Sequence, residues 1–253
     1  MYNFAHCITM DRLLEATARA ERDHFWFRGF RKFVEPLVAR AAGGRQLDIL
    51  DCGCGTGRNL AMLRRYGRVY GIDLNAFGLQ YARQQGARTV ARASAGELPF
   101  PTGRFDLVAS FDVLYSLPDE VERAAIAEMF RVLRPGGTLI VNVAALEALR
   151  GNHSVLSAEL RRYSRAGLRR QLEAAGFTVT HATYTNLSIL PMVAAVRLTQ
   201  RVSGHVESQD EIAVPAAPLN AVLTGLLTME AAALRVVNMP VGSSLLMVAR
   251  RPD

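Results

Sequence analysis

A glycine-rich turn after the first apolar run is the strongest indication of chemistry in the sequence. Residues 51–57 read DCGCGTG, between the apolar residues 47–50 and a helical pattern over residues 58–65. Glycines let the backbone approach a ligand closely, and ligands bind at the carboxyl ends of strands in open α/β sheets. The turn therefore predicts a nucleotide-type site. Arg58 stands where a dinucleotide fingerprint has a third glycine, which weakens that interpretation without eliminating it.

Asp73 is the second candidate binding residue, because it ends the next apolar run, Val69 to Ile72. A carboxylate at a strand end can accept two hydrogen bonds from a ribose diol. An exposed strand-end carboxylate is the alternative interpretation. The nearby glycine-rich turn favours the ribose role.

The elements that would position these residues alternate between strands and helices, which implies a parallel sheet. Apolar runs predict strands at residues 47–50, 69–72, 89–91, 105–110, 138–143, 177–182 and 244–248. Helical periodicity predicts helices at residues 58–65, 79–85, 120–133, 165–175, 187–202 and 218–237.

A helical pattern from Asp11 to Ala42 precedes the first strand, and Gly43-Gly44 ends it. A chain of 253 residues suits one α/β domain with an added cap. We predict an N-terminal helical cap at residues 1–45 and one domain at residues 46–253. The domain would carry helical additions at about residues 145–175 and 187–237.

Three motifs within residues 46–143 together resemble the class I S-adenosylmethionine (SAM) dependent methyltransferases. They are the glycine-rich turn, the segment ELPF before FDLV at residues 97–108, and RVLRPGG at residues 131–137. The resemblance implies SAM as the cofactor. It also implies a Rossmann-like α/β fold, with a seven-stranded, mostly parallel sheet and helices on both faces.

The resemblance also implies a set of cofactor contacts. In this family the glycine-rich turn holds the methionine part of SAM, the acid after the second strand holds the ribose, and its neighbour lies beside the adenine. The candidates are Asp51, Gly53, Cys54, Gly55, Asp73, Leu74, Ser94, Ala95 and Phe111. Ser94 departs from the family, because many relatives carry an aspartate there. Phe111 and Asp112 follow the fourth strand beside the methyl donor, and a core or helix-cap role explains them equally well.

The segment HFWFR at residues 24–28 resembles one found ahead of the fold in a bacterial subgroup of the family. An aromatic face such as that of Trp26 can cover a sulfonium cation, and Arg28 can pair with the cofactor's carboxylate. A helix packed on the sheet through Phe25 and Trp26 explains the same residues.

One catalytic candidate, Tyr115, follows the fourth strand, and the other two, His153 and Tyr163, lie in a polar and basic segment, residues 145–163, which we expect to form a loop over the site. Part of it resembles the same subgroup and suggests acceptor contact. His153, Tyr163 or Tyr115 could remove an acceptor proton, although a loop histidine is often merely exposed. Methyl transfer is an in-line displacement at an activated carbon, so a base is needed mainly for a weakly acidic hydroxyl.

Composition limits the classes of partner. The net charge of +7 comes almost entirely from arginine, and no nucleic-acid module accompanies it. The basic run at residues 161–170 either attracts an acidic acceptor or forms a solvated helix face. The three cysteines form no disulfide framework or zinc spacing, so we expect no metal.

The longest uncharged stretch, residues 213–229, contains two prolines and an asparagine, and we predict a buried or interface helix there rather than a membrane span. With no secretory signal pattern, we expect a cytoplasmic protein. A homodimer remains open.

We predict a SAM-dependent methyltransferase that acts on an O, N or C atom of a small-molecule metabolite. The alternatives are a SAM-fold cyclase or decarboxylase, a nicotinamide-dependent oxidoreductase, a nucleic-acid methyltransferase and a non-catalytic SAM-binding module. Arg58 disfavours the oxidoreductase. The sequence SFDV at residues 110–113, in place of an Asn/Asp-Pro-Pro-Tyr motif, disfavours the nucleic-acid enzyme.

Overall fold

The computed structural model describes residues 14–149, 159–203 and 212–253. Within them, seven strands form one sheet in the order β3-β2-β1-β4-β5-β7-β6. The strands are β1 (Leu47–Cys52), β2 (Gly67–Asp73), β3 (Val90–Arg92), β4 (Phe105–Phe111), β5 (Leu133–Ala144), β6 (Thr178–Thr185) and β7 (Ser244–Arg250). Strand β7 is antiparallel to β5 and β6, whereas the strand pairs from β3 to β5 are parallel. The predicted Rossmann-like, mostly parallel α/β sheet is confirmed.

Helices cover both faces of this sheet. They are α1 (Phe25–Ala42), α2 (Arg58–Leu63), α3 (Ala76–Gln84), α4 (Asp119–Val132), α5 (Arg165–Ala174), α6 (Leu190–Ser203) and α7 (Ala217–Ala233). Met129 of α4 and Leu168 of α5 are buried in the core on one face, and Val38 of α1 and Leu227 of α7 in the core on the other. Every residue of β1 is buried, because a parallel strand with helices on both sides has no solvent face.

The sheet topology fixes where a ligand binds. Strand β1 pairs with β2 on one side and with β4 on the other. Strands β2 and β3 therefore extend the sheet to one side of β1, and β4 and β5 extend it to the other side. In open α/β sheets this switch point opens a crevice at the carboxyl ends of the strands. The residues that follow β1, β2 and β4 therefore meet in one place.

The N-terminal helical pattern is interrupted, which corrects the prediction of one helical region from Asp11 to Ala42. Residues 14–20 are helical, a turn follows, and His24 caps α1 by accepting a hydrogen bond from Trp26 N at 3.2 Å. Asn220 of α7 fixes this break, since its side chain accepts from Phe25 N and donates to Asp23 O, both at 2.8 Å. The break depends on α7, which is distant in sequence.

Helix α7 is only half buried. Leu223 and Leu227 face the core, whereas Leu219, Val222 and Met229 are 50%, 60% and 71% exposed. No helix among the described residues is long and apolar enough to cross a membrane. The division into a cap and one domain stays a prediction.

Candidate cofactor and transfer site

Two backbone hydrogen bonds tie the glycine-rich turn to β2. Gly53 N and Cys54 N both donate to Ile72 O, at 2.8 and 2.9 Å. Gly53 has φ +88°, and a Cβ there would lie 2.2 Å from Val113 Cγ2. Only glycine allows the turn to lie this close to the residues that follow β4. The thiol of Cys54 is buried, and burial raises its pKa, so it is not a reactive group.

Asp73 holds the other side of the turn. Its Oδ2 accepts a hydrogen bond from Gly55 N and its Oδ1 accepts one from Asn75 N, both at 2.8 Å. Burial raises the pKa of Asp73, and the two backbone donors oppose that rise. Each carboxylate oxygen has a second lone pair, which can accept a hydrogen bond from a ligand. Leu74, next in sequence, is 38% exposed.

Asp51, in β1, is a buried acid. It is 1% exposed, and its Oδ2 makes no hydrogen bond within the described part of the chain. Burial, with a smaller contribution from the charge of Asp73, raises its pKa to about 7. An unpartnered carboxyl in this position reduces stability and suits a ligand that brings a cationic donor.

Asp112 follows β4 in the left-handed region of backbone space, with φ +61°. Its Oδ1 accepts a hydrogen bond from Asn142 Nδ2, and its N–H donates to Asn142 O, both at 2.9 Å. Solvent reaches this residue, yet the surrounding protein raises the pKa of its carboxyl to about 7. Phe111, before it, is buried with its ring edge-on to Phe30 of α1 at 5.1 Å. Asp112 is therefore held in place by Asn142 while it remains exposed to solvent.

The residues after β3 form a local turn. The Ser94 hydroxyl oxygen accepts a hydrogen bond from Gly96 N at 3.1 Å, and Ala95 is buried. The serine is half-buried and can still donate its proton.

The N-terminal residues cover the glycine-rich turn from outside. A Cβ on Gly55 would lie 3.5 Å from Leu14 Cδ2, and Thr56 Oγ1 donates to Glu21 Oε2 at 2.7 Å. In α1, Trp26 is partly buried against the core, whereas Arg28 is exposed. The structure therefore packs Trp26 on the core, as the helix interpretation expects, and leaves the guanidinium of Arg28 accessible.

The two tyrosine candidates are buried in different surroundings. Burial, together with the charges of Asp112 and Glu159, raises the pKa of Tyr115 well above its ordinary value. The Tyr163 hydroxyl donates to Glu122 Oε1 at 2.6 Å, and burial and this bond raise its pKa. The structure therefore places the Tyr163 hydroxyl against α4, and only Tyr115 lies near Asp112. His153 lies outside the described residues.

The basic run forms internal ion pairs. Arg161 pairs with Glu122 and, at 2.6 Å, with Asp119, while Arg162 pairs with Glu159 at 2.9 Å. Side chains of Arg162 and Glu159 are 7% and 3% exposed. The prediction of a solvated helix face is wrong for these two arginines, which lie before α5 and pair with nearby carboxylates. It is confirmed for Arg169, which is on α5, 41% exposed, and paired with Glu173 of the same helix.

Comparison with known proteins identifies the family. The profile of the methyltransferase domain matches residues 50–141. A probable S-adenosylmethionine-dependent methyltransferase of Mycolicibacterium smegmatis is 30% identical over 201 residues, which cover 78% of this chain and 75% of that protein. The chain belongs to the class I SAM-dependent methyltransferases. The methyl donor of this methyltransferase is SAM.

Other relatives match the methyltransferase over a shorter span. The malonyl-[acyl-carrier protein] O-methyltransferase of Enterobacter lignolyticus is 32% identical over 125 residues, 47% of each chain. Among solved structures, a SAM-dependent methyltransferase from Thermotoga maritima aligns with a TM-score of 0.61 at 17% identity, over 96% of this chain and 99% of that one. The cyclase SpnF aligns with a TM-score of 0.55 at 23% identity, over 87% and 80%. These two structural likenesses concern the fold alone.

Sequence reasoning did not find two residues that support the candidate site. Asn142, which holds Asp112, is 2% exposed within an apolar strand, and a polar residue in such a strand is a usable signal. Glu21, which holds Thr56, had no such signal, because its burial depends on how the N-terminal residues fold back.

Proposed function

We propose that this methyltransferase moves the methyl group of SAM to an oxygen, nitrogen or carbon atom of a small-molecule metabolite. The observation that carries the proposal is the convergence of Asp51, Asp73 and Asp112 around the glycine-rich turn, none of them in an ion pair with an arginine or lysine among the described contacts. SAM carries two cationic groups, a sulfonium and an ammonium, and carboxyls held in a crevice suit groups of this kind.

We propose a separate role for each cofactor contact. The unpartnered oxygen of Asp51 would accept a hydrogen bond from the ammonium group, and the free lone pairs of Asp73 would accept the ribose hydroxyls. Gly53 and Gly55 would let the ligand approach the backbone, while Cys54 shapes the turn. Arg28, exposed on α1, would pair with the carboxylate of the cofactor, and Trp26 would limit access from that side.

The adenine would lie beyond the ends of β2 and β3. Leu74 offers an exposed apolar surface there, and Ser94 with Ala95 offers polar contacts in place of the aspartate that many relatives carry. Phe111 would close the floor of the crevice near the transferred methyl group.

The chemistry requires alignment more than acid–base groups. SAM supplies an activated methyl carbon, and positioning of two reactants can remove roughly 7–11 kcal/mol of the barrier. His153 and Tyr115 stay candidates for contact with the acceptor. Tyr163 is less suited to proton removal, because its hydroxyl donates to Glu122.

Several relatives act on different acceptors, so the acceptor itself is not assigned. One relative is named as a malonyl-[acyl-carrier protein] O-methyltransferase, and another, from Shewanella halifaxensis, as a ubiquinone/menaquinone biosynthesis C-methyltransferase. The first name specifies methylation of an oxygen atom and the second methylation of a carbon atom. A cytoplasmic location and a homodimer stay predictions from the sequence.

Ligand-dependent thermal unfolding tests the cofactor assignment. The purified protein is heated with SAM, S-adenosylhomocysteine, NAD or no ligand. A ligand at about 100 times its dissociation constant stabilises by roughly 2.7 kcal/mol, which raises the melting temperature by several degrees. We expect this shift with the two adenosyl ligands and none with NAD. A shift with NAD alone would overturn the proposal.

A cyclase or decarboxylase with the SAM-binding fold is the alternative that the sequence analysis left open. Incubation with methyl-labelled SAM and a panel of phenols, amines and carboxylic acids separates the two. Transfer of label to an acceptor supports the methyltransferase. Tight SAM binding with no loss of its methyl group on any acceptor supports a cyclase, a decarboxylase or a binding module.

A further inference from the structure

Asp112 lies between the glycine-rich turn and β5. The Val113 side chain, next in sequence, is in close contact with Gly53, where a Cβ would lie 2.2 Å from Val113 Cγ2. On the other side, Asn142 of β5 binds both the N–H and the carboxyl of Asp112, each at 2.9 Å. The carboxyl is thus fixed at the switch point of the sheet. The residue next to it, Val113, contacts the glycine-rich turn.

The backbone of Asp112 is strained. A non-glycine residue with φ +61° is uncommon, and such conformations persist where the surrounding structure imposes them, often at functional sites. Here the two hydrogen bonds to Asn142 impose it. They hold the carboxyl against Asn142 of β5, while the residue remains exposed to solvent.

The groups around Asp112 shift the pKa of its carboxyl in opposite directions. Asn142 bonds to it from β5, Tyr115 lies three residues further along the chain, and the charge of Glu159, before α5, acts on it. Arg162 is bonded to Glu159 and to Ala145 O, each at 2.9 Å. Desolvation by the surrounding protein raises the pKa of Asp112 to about 7, although solvent still reaches the residue; the hydrogen bond from Asn142 lowers the pKa, and the charge of Glu159 raises it. Both forms of the carboxyl are therefore populated near neutral pH.

We propose that Asp112 takes the proton of the methyl acceptor and that its own charge follows the charge of the cofactor. The inference rests on the proposed function, because it needs SAM in the crevice beside Asp112. A positive sulfonium near the carboxyl favours its charged form, whereas the neutral thioether of S-adenosylhomocysteine does not. The base is thus charged when the methyl donor is bound.

The proton balance of the step follows directly. A lone pair on the acceptor oxygen or nitrogen forms the new bond to the methyl carbon, and the carbon–sulfur bond breaks with its electron pair going to sulfur. The acceptor's proton passes to the Asp112 carboxylate, which becomes more basic as the neighbouring positive charge disappears. The acceptor class is therefore a hydroxyl or an amine that has a proton to lose.

Calorimetric titration with SAM and with S-adenosylhomocysteine tests this coupling without any acceptor. Both ligands are titrated at pH values from about 5.5 to about 8.5, in buffers of different ionisation enthalpy. In the wild-type protein we expect SAM binding to release a proton near pH 7. We also expect the affinity ratio of SAM to S-adenosylhomocysteine to rise about tenfold across this range.

Two variants of Asp112 remove the carboxyl in different ways. Asp112→Asn keeps the side-chain shape, and Asp112→Gly favours the observed φ, so at least one of them should fold. Both variants should still bind SAM. In both, the ratio of SAM affinity to S-adenosylhomocysteine affinity should no longer rise with pH as it does in the wild-type protein. Asp51→Asn is the matched control, because it removes another buried acid that would face the ammonium shared by both ligands. The affinities of this variant for SAM and for S-adenosylhomocysteine should fall by the same factor, so the pH dependence of their ratio should stay as in the wild-type protein.

The outcomes separate this inference from the proposed function. An unchanged pH dependence of the ratio in both Asp112 variants would overturn the inference while leaving SAM binding in place. Absence of SAM and S-adenosylhomocysteine binding by the wild-type protein would instead overturn the proposed function.

Discussion

The two ends of β1 carry aspartates in opposite circumstances. Asp48, at the amino end, is bonded to Arg104 at 2.7 Å and to Arg134 at 3.2 Å. Burial raises the pKa of Asp48, but these arginines outweigh it and the pKa is lowered overall. Asp51, near the carboxyl end, lies among acids, and its pKa is raised to about 7. Strand β1 therefore holds two aspartates, of which Asp48 is paired with arginines and Asp51 has no cationic partner among the described residues.

The same contrast extends across the sheet. At the amino end, Arg134 also pairs with Asp106 at 2.6 Å. At the carboxyl end, Asp73 and Asp112 are held by backbone or amide donors. Paired charges at the amino end cost the fold little, whereas acids without a cation at the carboxyl end reduce its stability. Residues that reduce the stability of the fold are typical of binding sites.

Removing Asp73 should have the largest effect. Asp73→Ala deletes the acceptor that we assign to the ribose and the two bonds that shape the turn. Since a hydrogen bond to a charged group is worth about 1.5–3 kcal/mol, SAM affinity should fall roughly 100-fold. Calorimetry measures the change. Asp73→Asn, which keeps one acceptor oxygen, should lose less, and wild-type affinity in the alanine variant would remove the ribose assignment.

Asp51→Asn should change binding and stability in opposite directions. Its pKa in the folded state is raised, so the stability that it contributes is present below the unfolded pKa of about 3.9 and is lost as pH rises towards 7. The asparagine variant should therefore be more stable than wild type by roughly 1–2 kcal/mol at about pH 8, and equal to it near pH 4.

The same variant should bind SAM about tenfold more weakly, because a neutral amide replaces the carboxylate facing the ammonium. Thermal unfolding without ligand and calorimetry with SAM provide the two measurements. A variant that is less stable than wild type at about pH 8 would show that Asp51 is satisfied in the ligand-free protein.

Asp48→Asn should have the smallest effect, and only on stability. The pKa of Asp48 is lowered in the folded state, so its stabilisation is present above the unfolded pKa and is lost as pH falls through the folded value. Its arginine partners are 28–80% exposed, and solvent screening limits the loss to about 1 kcal/mol, a few degrees of melting temperature at neutral pH. SAM affinity should stay within about twofold of wild type, because the substitution is at the far end of the strand.

Local sequence patterns predicted most elements, and they also supplied the residues that we propose for cofactor binding. The turn at residues 51–57 and the acid at residue 73 are each encoded within a few residues, and backbone geometry alone brings strand ends together. The N-terminal break was missed because the hydrogen bonds that fix it come from Asn220, nearly 200 residues away in the chain. Arg161 and Arg162 were misread because their acidic partners lie on α4 and in the preceding segment.

By itself the sequence determined the α/β alternation, the glycine-rich turn and the family, because these follow from periodicity and from residues adjacent in the chain. Only the tertiary structure decided which acids are paired and which are not. Asp48 and Asp51 look alike in sequence, and their pKa values diverge because β4 and β5 bring arginines to one end of the sheet, while Asp73 and deep burial act at the other. A pKa depends on distances between groups, and those distances exist only after the chain has folded.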